Sequence, residues 1–217
     1  MRRKKIIYYM MRKAPHLLLL VAMFAASLLV GIFLPQRIPL HWDGQGIADR
    51  FGTKYELILL LPCAAVIIFA VGVFAESRII LPSHKLRGLM SFMQFFFLLL
   101  FFVVQARNLL RAENIWVPIE RFMTIPALLL YMYVASMLHG AEYLSLFGIK
   151  TKWTMGSQAV WEKTNRLASR LFRLSAVLML IPMYFYNLFY IFLAAPPVLS
   201  FVTAAVYSIL ISNNSGQ

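Results

Sequence analysis

Long runs of apolar residues constrain this chain more than any other feature of its sequence. Six apolar stretches occur, at residues 17–34, 57–75, 89–106, 122–138, 171–193 and 198–211. The first five are long enough to cross a hydrocarbon core about 30 Å thick as helices, whereas the sixth is short unless it begins near Ala194. Because a spanning helix satisfies its own backbone hydrogen bonds, the sequence predicts an all-α polytopic membrane helical bundle of about six transmembrane helices.

The composition agrees with this interpretation. Hydrophobic residues make up 61% of the chain and charged residues only 13%, whereas a soluble domain carries roughly 25% charged residues. The formal charge of +13 is typical of a membrane protein whose basic residues lie against anionic lipid, so membrane lipid is the expected partner and nucleic acid is not. A single cysteine, Cys63, excludes a disulfide within the chain and a metal cluster of cysteine type.

Basic residues also predict the orientation of the bundle. If the amino terminus is cytoplasmic and all six stretches cross, fifteen Lys and Arg residues lie inside and six lie outside, which favours cytoplasmic positions for both termini. A cleaved signal peptide is the alternative for the first stretch, but its apolar run is long and no cleavage site follows it. The predicted organisation is a basic cytoplasmic amino terminus (1–16), four transmembrane helices with an outer cap loop at 35–56 (17–138), a cytoplasmic loop with an amphipathic helix (139–170), and two further transmembrane helices with a short tail (171–217).

The amphipathic helix of the inner loop has a recognisable start. Ser157 is a suitable N-cap, and apolar residues from Val160 to Leu171 recur at helical spacing beside Lys163, Arg166 and Arg170. Such a helix is expected at the inner headgroup boundary, from which it runs into the fifth span.

The sequence offers little chemistry for catalysis. Apart from Arg173, near the start of the fifth stretch, none of the six apolar stretches contains Asp, Glu, Lys or Arg. This absence argues against an ion-coupled transporter. Gln94 and Asn187 are interpreted as partners in interhelical hydrogen bonds. The histidines have no metal-ligand spacing, and neither a nucleophile elbow nor a phosphate-binding loop is present. We therefore expect no enzyme, catalytic residue, metal or cofactor.

The outer loop is the most informative polar segment. Two prolines stiffen its beginning, and Gly44, Gly46 and Gly52 permit tight turns. Trp42 and Phe51 suit an interfacial position. The loop is either a compact structural cap or a recognition surface for an extracellular ligand, and the residues alone favour the cap only slightly.

Two motifs in this chain resemble the SdpI/YfhL family of bacterial membrane proteins. The outer loop carries Leu-Pro, Ile-Pro-x-His-Trp, a Gly, an Asp and Gly-Thr-Lys at the family's spacing, within residues 34–54. The inner loop carries Gly-Ile-Lys-Thr-Lys-Trp-Thr and then Trp-Glu-Lys-Thr-Asn-Arg, within residues 148–166. Lys152 replaces the usual proline, and Ala168-Ser169 replace small glycines, so the resemblance leaves the details of partner binding open.

The resemblance implies a multi-pass protein of the bacterial plasma membrane that gives immunity to a secreted antimicrobial peptide or bacteriocin-like toxin. On that hypothesis the outer cap binds the toxin through His41, Trp42, Asp43, Asp49 and Lys54. A second hypothesis is signal transduction, in which an outer peptide is sensed and a cytosolic transcriptional regulator is captured by Trp153, Trp161, Thr164, Asn165 and Arg166. Transport of a small amphiphile is the third hypothesis.

Overall fold

The structure is a computed structural model that describes residues 2–42, 47–78, 84–113 and 115–214. Its elements confirm an all-α bundle with one small hairpin. In chain order they are α1 (Arg2–Phe33), β1 (Arg37–Trp42), β2 (Ala48–Thr53), α2 (Lys54–Arg78), α3 (His84–Ala112), α4 (Ile119–His139), α5 (Lys152–Gly156), α6 (Gln158–Leu178), two 3-10 turns (Ile181–Met183 and Tyr186–Leu188) and α7 (Phe189–Asn214).

Five helices in the described part of the chain are long and apolar enough to cross a membrane. They cover Met11–Phe33, Lys54–Glu76, Lys85–Ala112, Ile119–His139 and Tyr186–Asn213. The first four predicted spans are thereby confirmed. The sixth, which was short as an apolar run, begins earlier and gains a full spanning length because α7 continues through Pro196 and Pro197.

The predicted fifth span at 171–193 is wrong as a single helix. α6 starts at Gln158, with Ser157 as its N-cap as expected, and ends at Leu178. Two 3-10 turns then lead into α7. Pro182 favours the break, because its ring would clash with the carbonyl four residues earlier, which here belongs to Leu178. Asn187 therefore lies in a 3-10 turn at the start of the last candidate span, Tyr186–Asn213, where its side chain is exposed.

The chain forms two compact units, Met1–Ile119 and Glu120–Gln217. In the second unit α6 lies antiparallel to α4, since Ser169 Oγ donates to Ala135 O at 2.7 Å and the rings of Tyr131 and Phe172 are in contact. α6 is also antiparallel to α7, because Ser175 Oγ meets Ser200 Oγ at 3.1 Å and α7 begins only after the turns that follow α6.

This arrangement restores the sixth crossing. α4 and α7 are both candidate spans and, being antiparallel to the same helix, they run in the same direction. The chain must therefore return through the membrane between them, and α6 is the helix that accompanies both. Composition alone does not identify α6 as a span because of its charged residues. Hydropathy therefore finds two crossings in the second unit, α4 and α7, whereas the packing of that unit requires α6 as a third.

The first unit packs α1, α2 and α3 together and closes one end of them with the β hairpin. Ile38 of β1 is almost completely buried and packs with Leu34, Leu57 and Leu109 from the three helix ends. Farther along the helices, Met23, Ala65 and Leu98 belong to a second buried cluster. Burial of Ile38 fixes the hairpin on the helix ends, so that it forms a cap and not a loose loop.

A buried ion pair lies at the opposite end of this unit. Lys13 Nζ, on a residue only 2% exposed, donates to Glu76 Oε1 at 2.8 Å and to Gln94 Oε1 at 2.5 Å. Gln94 Nε2 donates to Phe69 O at 2.8 Å, which confirms its interhelical role. The expectation of spans without charged residues is corrected here, because α1 and α2 extend beyond their apolar runs to include Lys13 and Glu76.

Candidate functional site

The cap is an antiparallel hairpin, and specific contacts fix the way in which it leads into α2. Arg37 pairs with Thr53 and Pro39 with Phe51 in its register. Thr53 and Glu56 then form a capping box, with Thr53 N donating to Glu56 Oε1 at 3.1 Å and Glu56 N donating to Thr53 Oγ1 at 3.4 Å. A Cβ on Gly52 would lie 2.2 Å from Leu40 Cδ1, so any larger residue there would require the Leu40 side chain to move.

His41 and Asp49 are the predicted cap residues that the structure brings together. His41 Nδ1 lies 2.6 Å from Asp49 Oδ1 across the two strands, and both side chains are exposed. The pair offers a surface with one aromatic nitrogen and one carboxylate fixed relative to each other. Trp42 ends β1, and Asp43 lies outside the described residues.

Lys54, also predicted to bind ligand, is engaged in the fold itself. Its Nζ donates to Gly31 O at 3.1 Å and to Leu34 O at 3.3 Å. These carbonyls belong to the end of α1, where the helix lacks its own donors and carries partial negative charge. Lys54 therefore joins α1 to the start of α2 and holds the root of the cap.

A small cavity of about 90 Å³ lies beneath the cap. Its apolar wall is made by leucines, and its polar lining includes Arg50, Glu56, Gln105 and Asn108. Gln105 is buried, and its Nε2 donates to Ser27 Oγ at 2.8 Å and to Leu57 O at 3.0 Å, whereas its Oε1 has no partner. A buried carbonyl without a donor is energetically costly. Gln105 is therefore the residue of the cavity lining whose acceptor lacks a donor among the described residues.

Gln105 and Glu56 are not among the site residues predicted from the sequence. Gln105 is a polar residue one position before the end of an apolar run, which is a usable signal. Glu56 is the last residue of the predicted cap loop. Its place three residues after Thr53 is the spacing of a capping box, and this pattern identifies it as part of a rigid helix start.

In the second unit, the loop between α4 and α6 is held by a glycine and a tryptophan. Trp161 is completely buried, its Nε1 donates to Ala141 O at 3.1 Å, and its ring meets Tyr143 edge-on at 6.0 Å. Gly148 has a φ of 141°, and a Cβ there would lie 2.3 Å from Trp161 Cζ2. We call Ala141, Gly148, Trp161 and Asn165 the loop lock.

Asn165 completes the loop lock. Its Oδ1 accepts from Ile149 N at 2.8 Å, and its Nδ2 donates to Trp161 O at 3.0 Å. Thr164 is buried as well, and its Oγ1 has no partner. Thus Trp161, Thr164 and Asn165, three of the predicted partner-binding residues, lie in the interior, where their contacts favour a structural role.

Arg166 and Trp153 remain accessible in this unit. Arg166 is exposed, and Trp153 is half-buried with Lys152 Nζ 4.7 Å from its ring centre. A cleft of about 300 Å³ between the end of α4 and the start of α6 is lined by Arg166 together with His139, Glu142 and Glu162. This cleft is the feature of the second unit best suited to a polar partner.

Comparison with known proteins agrees with this geometry. Residues 144–212 match the SdpI/YfhL protein family. The resemblance to that family is confirmed. Its match contains the second motif, with Gly148, Trp161 and Asn165 of the loop lock. Residues 18–74 match a domain of unknown function, DUF1648, and this match contains the first motif and the cap, which lie outside the SdpI/YfhL match.

One curated relative is the immunity protein SdpI of Bacillus subtilis (strain 168). It is 24% identical over 147 residues, which cover 68% of this chain and 69% of the relative. No solved structure matches. The SdpI/YfhL match and the apolar helices establish a multi-pass membrane protein that is related to a membrane immunity protein and not to a known enzyme family.

Proposed function

We propose that this protein protects a cell against a secreted antimicrobial peptide or bacteriocin-like toxin and does so by binding, without catalysis. The relationship to an immunity protein supports this proposal. The cap provides a suitable recognition surface, and the predicted orientation places it on the outer face, where a secreted toxin arrives.

The cavity beneath the cap is the observation that carries the proposal. It combines leucine side chains with the unpartnered Gln105 Oε1 and the carboxylate of Glu56. A peptide can match both features of the cavity, because its apolar side chains suit the leucines and its N–H groups suit the oxygen acceptors. His41 and Asp49 lie on the same hairpin and extend the surface with an exposed pair. Burial of Ile38 holds β1 on the helix ends, which reduces the entropy lost when a ligand binds there.

A toxin challenge tests this proposal directly. Cells that express the protein are exposed to the cognate peptide, and survival is compared among wild type, His41→Ala/Asp49→Ala and Gln105→Met. Both variants are expected to lower the toxin dose that the cells tolerate by about five- to thirtyfold, since each removes interactions of about 1–2 kcal/mol. Lys150→Ala, an exposed change in the second unit, serves as the control.

Membrane abundance is measured in the same cells by quantitative immunoblotting. Loss of protection at unchanged abundance supports recognition by the cap. Full protection by both cap variants rejects it.

Signal transduction is a second candidate because of the cleft beside Arg166. Its lining carries both signs of charge, which suits a polar segment of a cytosolic regulator. A transcriptional reporter separates the two functions. Under the signalling hypothesis Arg166→Ala abolishes a toxin-dependent change in transcription, whereas pure immunity gives protection with no such change. Transport is not proposed, because the buried Lys13 and Glu76 neutralise each other within the bundle.

A further inference from the structure

α6 carries a ladder of four cations on one face. Lys163, Arg166, Arg170 and Arg173 follow one another at intervals of three or four residues, which places them within about 100° of the helix circumference. All four side chains are exposed. Among the described residues none of them forms an ion pair, and the neighbouring Glu162 instead accepts from Gln158 Nε2 at 2.9 Å. The ladder is therefore a positive stripe whose cations form no ion pair with the described residues.

Contacts within the second unit show how deep the ladder reaches. Trp161 lies level with Ala141, just beyond the end of α4, whereas Phe172 lies level with Tyr131 near the middle of that span. Arg173 is twelve residues beyond Trp161, or about 18 Å along the helix axis. Lys163 is thus close to the membrane surface, and Arg170 and Arg173 lie well within the depth that α4 covers.

Exposed cations at this depth need a partner. An unpaired charge in the hydrocarbon region is costly and is retained when it meets water or an opposite charge. Arg173 is also oriented by the fold, since its Nη2 donates to Ser169 Oγ at 3.2 Å, and Ser169 in turn donates to Ala135 O. A guanidinium held in this way presents its remaining N–H groups in a planar fork that suits phosphate.

We propose that the exposed face of α6 binds an anionic phospholipid, whose phosphate enters the bilayer along the ladder as far as Arg170 and Arg173. Charge complementarity identifies this occupant. The same face continues beyond Arg173 with the exposed apolar residues Leu174 and Val177, against which the acyl chains pack. A soluble anion would not use this apolar extension, whereas a lipid uses both parts. The proposal does not depend on toxin immunity.

Two charge-matched double variants test it. The first, Arg170→Gln/Arg173→Gln, is called the deep variant because it removes the two cations of the ladder that lie deepest along α4. The second, Lys150→Gln/Lys152→Gln, is called the lysine variant and removes two exposed cations that precede α6 in the sequence. The protein is purified in a zwitterionic detergent and titrated with dioleoylphosphatidylglycerol, and bound lipid is counted by native mass spectrometry. Dioleoylphosphatidylcholine is the neutral control lipid, and glycerol 3-phosphate is the soluble competitor.

We expect the deep variant to bind phosphatidylglycerol at least about tenfold more weakly than wild type. The affinity of the lysine variant for the same lipid should stay within about threefold of the wild-type value. Glycerol 3-phosphate should not displace the lipid. Equal losses in the two variants would overturn the proposal, because they would indicate general surface attraction. Equal binding of both lipids, or displacement by glycerol 3-phosphate, would overturn it as well. The deep variant is expected to fold, because Gln at position 173 keeps an N–H donor for Ser169. Thermal unfolding without added lipid checks this expectation.

Discussion

Gly148→Ala should destabilise the second unit more than any other exchange of a glycine for alanine in it. Two effects add at this position. A φ of 141° costs a residue with a side chain about 1–3 kcal/mol. The new methyl group also cannot stay 2.3 Å from Trp161 Cζ2 and 2.6 Å from Cη2. Trp161 must therefore move and weaken its hydrogen bond to Ala141, which contributes about 1 kcal/mol, and its packing suffers too.

The total loss is at least about 3 kcal/mol, which corresponds to a decrease in the unfolding temperature of about 6–12 °C for a chain of this size. Thermal unfolding of the purified protein in detergent, followed by tryptophan fluorescence, measures it. Gly156→Ala is the matched control, because that glycine ends α5 and a Cβ there has nothing within 4 Å. It should change stability by less than about 1 kcal/mol.

A double variant separates the two effects. Gly148→Ala/Trp161→Leu removes the ring atoms that the methyl group would strike, so the two changes should destabilise less together than the sum of the single changes. Strict additivity, or a Gly148→Ala variant as stable as Gly156→Ala, would refute the reasoning that glycine is required there by the ring of Trp161.

Three further changes are expected to lower stability by amounts that depend on the charge and the hydrogen bonds that each removes. Lys13→Met leaves Arg12 as the remaining ionic partner of the Glu76 carboxylate among the described residues and should lower stability by about 3 kcal/mol. Adding Glu76→Gln to that variant should recover part of the lost stability in thermal unfolding. Lys54→Ala should lower it by about 1–2 kcal/mol, because two carbonyls at the end of α1 lose a charged donor; an unchanged unfolding temperature would contradict this role. Ser175→Ala should cost only about 0.6 kcal/mol, since the bundle keeps its apolar contacts there, and a loss above 2 kcal/mol would indicate a larger network.

Hydropathy predicted the spans well because lipid imposes one simple requirement on the side chains. It failed between residues 171 and 193 for a local reason. A window average counts Pro182 as one residue among many, yet the helix ends at Leu178, four residues before this proline. The average also rejects α6 because of Lys163 and the arginines, although contacts with α4 and α7 place that helix inside the bundle.

The cap and the loop lock were likewise predictable only in part from the sequence. Glycines and prolines indicated a folded outer loop, but Pro39 disfavours a strand in isolation, and the hairpin forms because Ile38 finds a buried site on three helix ends. The inner motif was recognised from its residues, whereas its burial was not. A tryptophan and an asparagine near basic residues suit an exposed surface equally well, and only the fold shows that Trp161 fills the space that Gly148 leaves open.

The membrane topology can be tested most directly by labelling single cysteines in intact cells. Cys63→Ala removes the native thiol, and Ile47→Cys, Gln158→Cys and Tyr184→Cys are then made one at a time at exposed positions. A membrane-impermeant maleimide should label positions 47 and 184 from outside and leave 158 unlabelled until the cells are opened, because α6 crosses the membrane between 158 and 184. Labelling of 158 from outside, or protection of 184 together with 158, would contradict the six-crossing arrangement.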